Sequence, residues 1–198
     1  MGMPELIEPT TRMHAAFLDC YDEWGPGLHE DGFGLGEDDD VRSPQGFATW
    51  VARILRGAHP TGTPCPPGKH ATMRWIVEDG KVLGGIALRH KFDNQLGHIG
   101  YGVRASARRR GIAGWALGEM LQEARAALGA DRVLIPCLDD NVASARTIES
   151  RGGVLEEIWP TENGPVRRYW IDLREEPRRQ VADRASAVRQ HQVCGESS

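Results

Sequence analysis

The sequence predicts an α/β (α+β) protein, a single domain whose central sheet of about six to seven strands is mixed but mostly antiparallel and is flanked by about four helices. Three observations lead there. Between Gly97 and Val103, the residues Ile99, Tyr101 and Val103 alternate with His98, Gly100 and Gly102, the period of a strand. A short loop of arginines and glycine then feeds Ala113, Leu117, Met120, Leu121 and Ala124, which recur at helical spacing. Asp79-Gly80 separates two strand-like runs, a strong hairpin signal.

Glu5 to Glu8 reads as a short edge strand cut by Pro9, which has no N–H for a ladder. Thr10 or Thr11 caps a helix whose apolar stripe is Met13, Ala16, Phe17, Cys20, Tyr21 and Trp24, ended by Gly25, Pro26 and Gly27. Residues 29–41 hold Glu30, Asp31, Glu37, Asp38, Asp39 and Asp40 with no lysine or arginine, and their glycines predict a loop. Ser43-Pro44 opens a second amphipathic helix through Phe47, Trp50, Val51, Ile54 and Leu55. An irregular Pro/Gly connection over 57–70 leads to the hairpin strands 71–78 and 81–90.

Glycines at 100 and 102 leave one face of the central strand without bulk, room for a bulge or a second backbone. After the helix, 132–138 suits a buried strand parallel to the central one. Asn141 caps a helix holding Ala145, Ile148 and Glu149, which stops at Gly152-Gly153. A last hairpin pairs 154–159 with 166–172. The domain is expected over 1–173, with 174–198 a polar tail that is disordered or weakly helical.

With 198 residues, 40% of them hydrophobic, the chain can bury a sizeable core, and a net charge of −4 argues against nucleic acid as partner. Cys20, Cys65, Cys137 and Cys194 have no paired or zinc-like spacing, and neither a signal peptide nor an apolar run long enough for a membrane is present, so a cytoplasmic protein with reduced thiols is expected. The histidines and carboxylates show no metal-ligand spacing.

The loop Arg108, Arg109, Arg110, Gly111 is suited to phosphate. The first N–H groups of a helix have no internal partner and sit at the positive end of its dipole, and Gly111 lets an anion come close. A solvated arginine turn is the bland alternative. A Walker loop requires Gly-Lys-Ser/Thr and a dinucleotide fold requires three spaced glycines, and neither is present.

Arg108-x-x-Gly111-x-Ala113 resembles the (Gln/Arg)-x-x-Gly-x-(Gly/Ala) signature of the GNAT acetyltransferases, whose loop wraps the pyrophosphate of acetyl-CoA. The order of elements from Glu5 to Asp172 is also similar to that fold. The resemblance implies a sheet splayed between two central parallel strands, with acetyl-CoA in the gap. Tyr101, Gly102 and Val103 then offer strand backbone to the pantetheine, and Arg108, Arg109, Arg110, Gly111, Ile112, Ala113 and Gly114 hold the phosphates. Asn141-x-x-Ser144 before Gly152 is similar to a second family pattern, so both residues are candidates for cofactor contact, with plain capping the alternative for Asn141. The tyrosine that serves many members as acid is replaced by Ile148. Tyr101 and His98 are therefore the candidate catalytic groups, His98 as a base or as a structural bond to a neighbouring strand. Cys137 among Val133, Ile135 and Leu138 reads as a buried thiol rather than an acetyl acceptor.

Acetyl transfer needs a neutral amine beside the thioester, so the partner implied is a cationic small molecule. Glu30, Asp31, Glu37, Asp38, Asp39 and Asp40 on the acidic loop (25–43) are its candidate binding groups, with Trp24 and Phe33 as flat apolar surface. A solvated acidic loop and ordinary core aromatics are the alternatives. The stretches PELIEPTTR, GHIGYGVR and RRYW look like a bacterial subgroup that includes aminoglycoside 2′-N-acetyltransferases acting on kasugamycin, which implies an aminoglycoside acceptor and antibiotic resistance. A protein or peptide N-acetyltransferase, or a non-catalytic acyl-CoA sensor, are the alternatives. Homodimers are common in the family, and no residue here locates an interface.

Overall fold

In a computed structural model of the chain, residues 2–25, 30–36, 38–57, 71–91 and 96–174 are described. The Pro/Gly connection, Glu37 and the tail beyond residue 174 lie outside the described residues. Strand β1 (Glu5–Ile7) leads through a 3-10 turn, Thr11–Met13, into α1 (His14–Trp24). Thr10 accepts the N–H of Arg12 at that entry, and Gly25, with φ of 85°, ends the helix. A short helix, α2 (Glu30–Phe33), replaces part of the expected acidic loop. Helix α3 (Pro44–Arg56) starts where Ser43 accepts the N–H of Gly46.

Then follow β2 (Ala71–Glu78), β3 (Lys81–Arg89), β4 (Ile99–Val103), α4 (Ile112–Leu128), β5 (Arg132–Leu138), α5 (Val142–Glu149), β6 (Val154–Thr161) and β7 (Gly164–Asp172). No helix among the described residues is long and apolar enough to cross a membrane.

Among the described residues, seven strands form two antiparallel sheets, β1-β2-β3-β4 and β5-β7-β6. The expected parallel pair, β4 and β5, builds no ladder and meets at one point: His98 N donates to Leu134 O at 2.7 Å, and Leu134 N donates to His98 Nδ1 at 2.9 Å. His98 O, the carbonyl a parallel ladder would use next, accepts Arg89 N of β3 at 2.7 Å, and residue 136, next after Leu134 on the same edge of β5, is a proline with no N–H to offer.

Alternate residues of the four-stranded sheet feed two cores. Ile76, Ile86, Leu88 and Ile99 pack with Leu117 and Met120 of α4 and Ile148 of α5. Met73, Trp75, Val77 and Ala87 pack with Phe17 of α1 and Phe47, Trp50 and Ile54 of α3. Gly32 of α2 lies directly against the sheet. A Cβ there, at φ of 91°, would collide with Gly85 O and sit 3.1 Å from Gly102 N. The bare face of the central strand thus receives a second backbone.

Candidate active site

A cavity of about 810 Å³ lies between the end of β4, the loop into α4 and the start of α5. Tyr101, Gly102 and Val103 of β4 form one wall. Arg108, Arg109 and Gly111, with Ile112, Ala113 and Gly114 of α4, form a second. Asn141 and Ser144 at the start of α5 form a third, and Trp24 also lines the space. Leu96, Ala107, Ala143 and Thr147 complete the lining, small or apolar residues without a chemical signature in sequence.

The loop is shaped for an anion by its backbone. Arg109 and Gly111 both have positive φ, 60° and 77°, and Gly111 caps α4. Trp115 N is the first amide of the helix to find a carbonyl, that of Gly111 at 2.9 Å. The N–H groups of Ile112, Ala113 and Gly114 precede it, have no helical acceptor, and belong to cavity-lining residues. Arg108 Nε donates to Val103 O at 3.0 Å, tying the loop to the open strand. These residues fit a diphosphate and an extended pantetheine.

Of the expected cofactor-binding and catalytic residues, two are elsewhere. Arg110 turns away from the cavity and donates through Nη2 to both carboxylate oxygens of the buried Glu78, each at 2.7 Å. His98, only 7% exposed, is not among the cavity-lining residues and stitches β4 to β5. Burial lowers its pKa, and the Leu134 amide donating to Nδ1 requires that nitrogen to be unprotonated. The structure shows its bond between the neighbouring strands, the alternative to a base, and places it outside the cavity lining.

Tyr101 stands at the centre of the cavity wall with its hydroxyl 2.9 Å from Ser144 Oγ. Ser144 N in turn donates to Asn141 Oδ1 at 3.0 Å, so Asn141 is both cap and cavity wall. Cys137 is buried, which raises its pKa, and it is outside the lining.

Among the described carboxylates of the acidic segment, Asp39 and Asp40 are engaged with their own chain. Asp39 pairs with Arg53 and accepts Gly36 N at 2.7 Å. Asp40 accepts the Ser43 hydroxyl and amide and the Arg42 amide, which lowers its pKa. Asp38 is exposed. Glu30 and Asp31 contribute backbone to α2. Phe33, expected as substrate surface, is 1% exposed and meets Phe17 and Trp24 edge-on, so it belongs to the core.

A network that sequence reasoning missed fixes the strand end beside the loop. Arg104 donates to Asp19 at 2.6 Å and through Nε to Glu23 at 2.6 Å, and Glu23 also accepts Ser106 N at 2.6 Å. The Ser106 amide, then Arg104, lowers the Glu23 pKa to about 2. The signal was the spacing of Asp19 and Glu23, one turn apart on α1.

A family model described as "Acetyltransferase (GNAT) domain" matches residues 32–154. Among solved structures, the chain is similar to the microcin C7 self-immunity acetyltransferase MccE in complex with acetyl-CoA and AMP (17% identity, 85% of this chain and 92% of that one, TM-score 0.65). It is also similar to Mycobacterium smegmatis RimJ in complex with CoA-disulfide (18% identity, 89% and 85%, TM-score 0.66). RimL, a ribosomal L7/L12 alpha-N-protein acetyltransferase in complex with coenzyme A, has 20% identity over 85% of this chain and 93% of its own, with TM-score 0.62. No curated protein matches by sequence.

Proposed function

This chain belongs to the GNAT acetyltransferase family and is an acyltransferase that uses acetyl-CoA, and within that activity we propose that its acceptor is the primary amine of a peptide or protein N-terminus. The carrying observation is the state of the acidic segment. A polycationic sugar calls for a wall of free carboxylates, yet Asp39 and Asp40 are bound to Arg53 and to the start of α3. An N-terminal amine brings one charge and an extended backbone, and the neighbours RimJ and RimL include an enzyme for such amines. An aminoglycoside remains the second reading, favoured by the absence of lysine and arginine from 29–41 and by the exposed Asp38.

When bound, acetyl-CoA would supply a thioester to acylate the amine, with the CoA thiol as leaving group. The chain's own part begins with the amides of Ile112 to Gly114, which would hold the phosphates, and the open edge of β4, which would align the pantetheine arm. The Tyr101 and Ser144 hydroxyls share a hydrogen bond at the cavity wall and are the groups able to hand over a proton there. Trp24 and Leu96 keep part of the lining apolar.

The deciding experiment measures thiol release from acetyl-CoA with N-terminally varied peptides, polyamines and aminoglycosides including kasugamycin. Release with peptides alone is expected. Release with an aminoglycoside alone overturns the peptide reading in favour of the second. Silence with both classes, beside demonstrated acetyl-CoA binding, overturns both acceptor assignments.

A further inference from the structure

Helix α4 carries glycines at 114 and 118, one turn apart on a single face, although glycine is a poor helix former. The groove they leave holds the guanidinium of Arg151. Its Nη1 and Cζ lie 3.1 and 3.3 Å from where a Cβ on Gly118 would be, and its Nε and Nη2 lie 3.8 Å from that of Gly114. Gly114 lines the cavity, and Arg151 follows Ser144 and Thr147, also lining residues, at steps of three and four.

Arg151 is half-buried, and among the described residues its side chain has no hydrogen bond or ion pair. Arg104, Arg110 and Arg167 are each held by carboxylates. A half-buried guanidinium with no counter-charge among the described residues is suited to an anionic ligand.

The helical rise places Gly114 about 4.5 Å and Gly118 about 10.5 Å along the axis from Gly111. CoA carries a phosphate monoester on its ribose 3′ oxygen, one sugar away from the diphosphate. We propose that Arg151, seated in the Gly114–Gly118 groove, receives this 3′-phosphate and makes the protein select CoA over 3′-dephospho-CoA. The inference rests on the cofactor reading of the cavity.

Calorimetric titration of the full chain with CoA and with dephospho-CoA tests it. A charge-assisted contact of this kind gives CoA an advantage of about 10- to 100-fold in Kd. Arg151→Gln is expected to remove the advantage by weakening CoA alone, and Arg151→Lys to restore part of it. Gly118→Ala puts a methyl against Nη1 while favouring the helix, so it should narrow the ratio without lowering Tm.

Equal affinities in the unmodified protein overturn the assignment and leave the cavity reading intact. An unchanged ratio in Arg151→Gln and in Gly118→Ala does the same. Binding of neither ligand overturns the cofactor reading itself.

Discussion

Arg109 and Arg110 are neighbours in sequence and are expected to fail in opposite ways. Arg110 binds Glu78 through two 2.7 Å contacts, with side-chain exposures of 31% for the arginine and 9% for the glutamate. Arg110→Ala leaves that carboxylate buried without its cation. Loss of one partner from a buried pair costs about 3 to 5 kcal/mol, and the partial exposure of Arg110 sets the expectation at the low end, about 3 kcal/mol. For a chain of this size that is a fall in Tm of about 6 to 12 °C. Arg109 lines the cavity at a φ of 60°. Replacing it by alanine should leave Tm nearly unchanged and weaken CoA about 10-fold, the worth of one charge-assisted contact.

Thermal denaturation followed by circular dichroism, with calorimetry of CoA binding on the same samples, separates the two. Glu78→Gln placed in the Arg110→Ala background should recover part of the lost stability, because a neutral amide is less costly to bury than an unpaired carboxylate. An Arg110→Ala protein with unchanged Tm and CoA affinity weakened as much as in Arg109→Ala would refute the reasoning. Arg110 would then belong to the phosphate site after all.

Three further outcomes are expected. Glu23 has a folded pKa of about 2 against an ordinary 4.5, so its contribution is complete above the higher value and is lost as pH falls towards the lower. Allowing for solvent screening this is about 1 kcal/mol, and urea midpoints measured from about pH 6 to pH 3 should fall less steeply in Glu23→Gln. Gly85→Ala sets a Cβ 2.5 Å from Gly32 O and 2.8 Å from Phe33 Cδ1, an overpacking worth about 1 to 3 kcal/mol that thermal denaturation reads directly. Tyr101→Phe removes the hydroxyl bonded to Ser144 and should lower kcat about 100-fold with CoA affinity unchanged, and an unaltered pH profile of kcat would exclude the pair as proton donor.

The free amides at the start of α4 were legible because their cause is local. Which amides of a helix lack acceptors follows from the step of four residues, so a strand, a glycine and an apolar period suffice to find them. The fate of each arginine was not legible, because it depends on a distant group. Glu78, which takes Arg110, lies 32 residues away in sequence, and Glu23, which takes Arg104, lies 81 away. The same limit governs the acidic segment. Six carboxylates can be counted in the sequence, but only the fold brings Arg53 to Asp39 and the start of α3 to Asp40. A charge run shows what a segment carries, whereas its function depends on how much of that charge is left over.

The cleft itself combines a missing donor with a close approach. The His98–Leu134 exchange holds β4 and β5 together at one end, and past it His98 O turns to Arg89 N of β3 while Pro136 has no N–H to offer. On the other side of β4, Gly84 and Gly102 allow β3 to pair tightly, and Gly32 lies against Gly85 and Gly102. The strand is therefore fixed along the edge that faces β3 and free along the edge that faces β5. A pantetheine arm needs that combination, since a mobile strand would lose ordering entropy on binding and a fully paired one would offer no backbone. Pro136 was visible in the sequence from the start, and its meaning depended on knowing which neighbour its absent N–H would have faced.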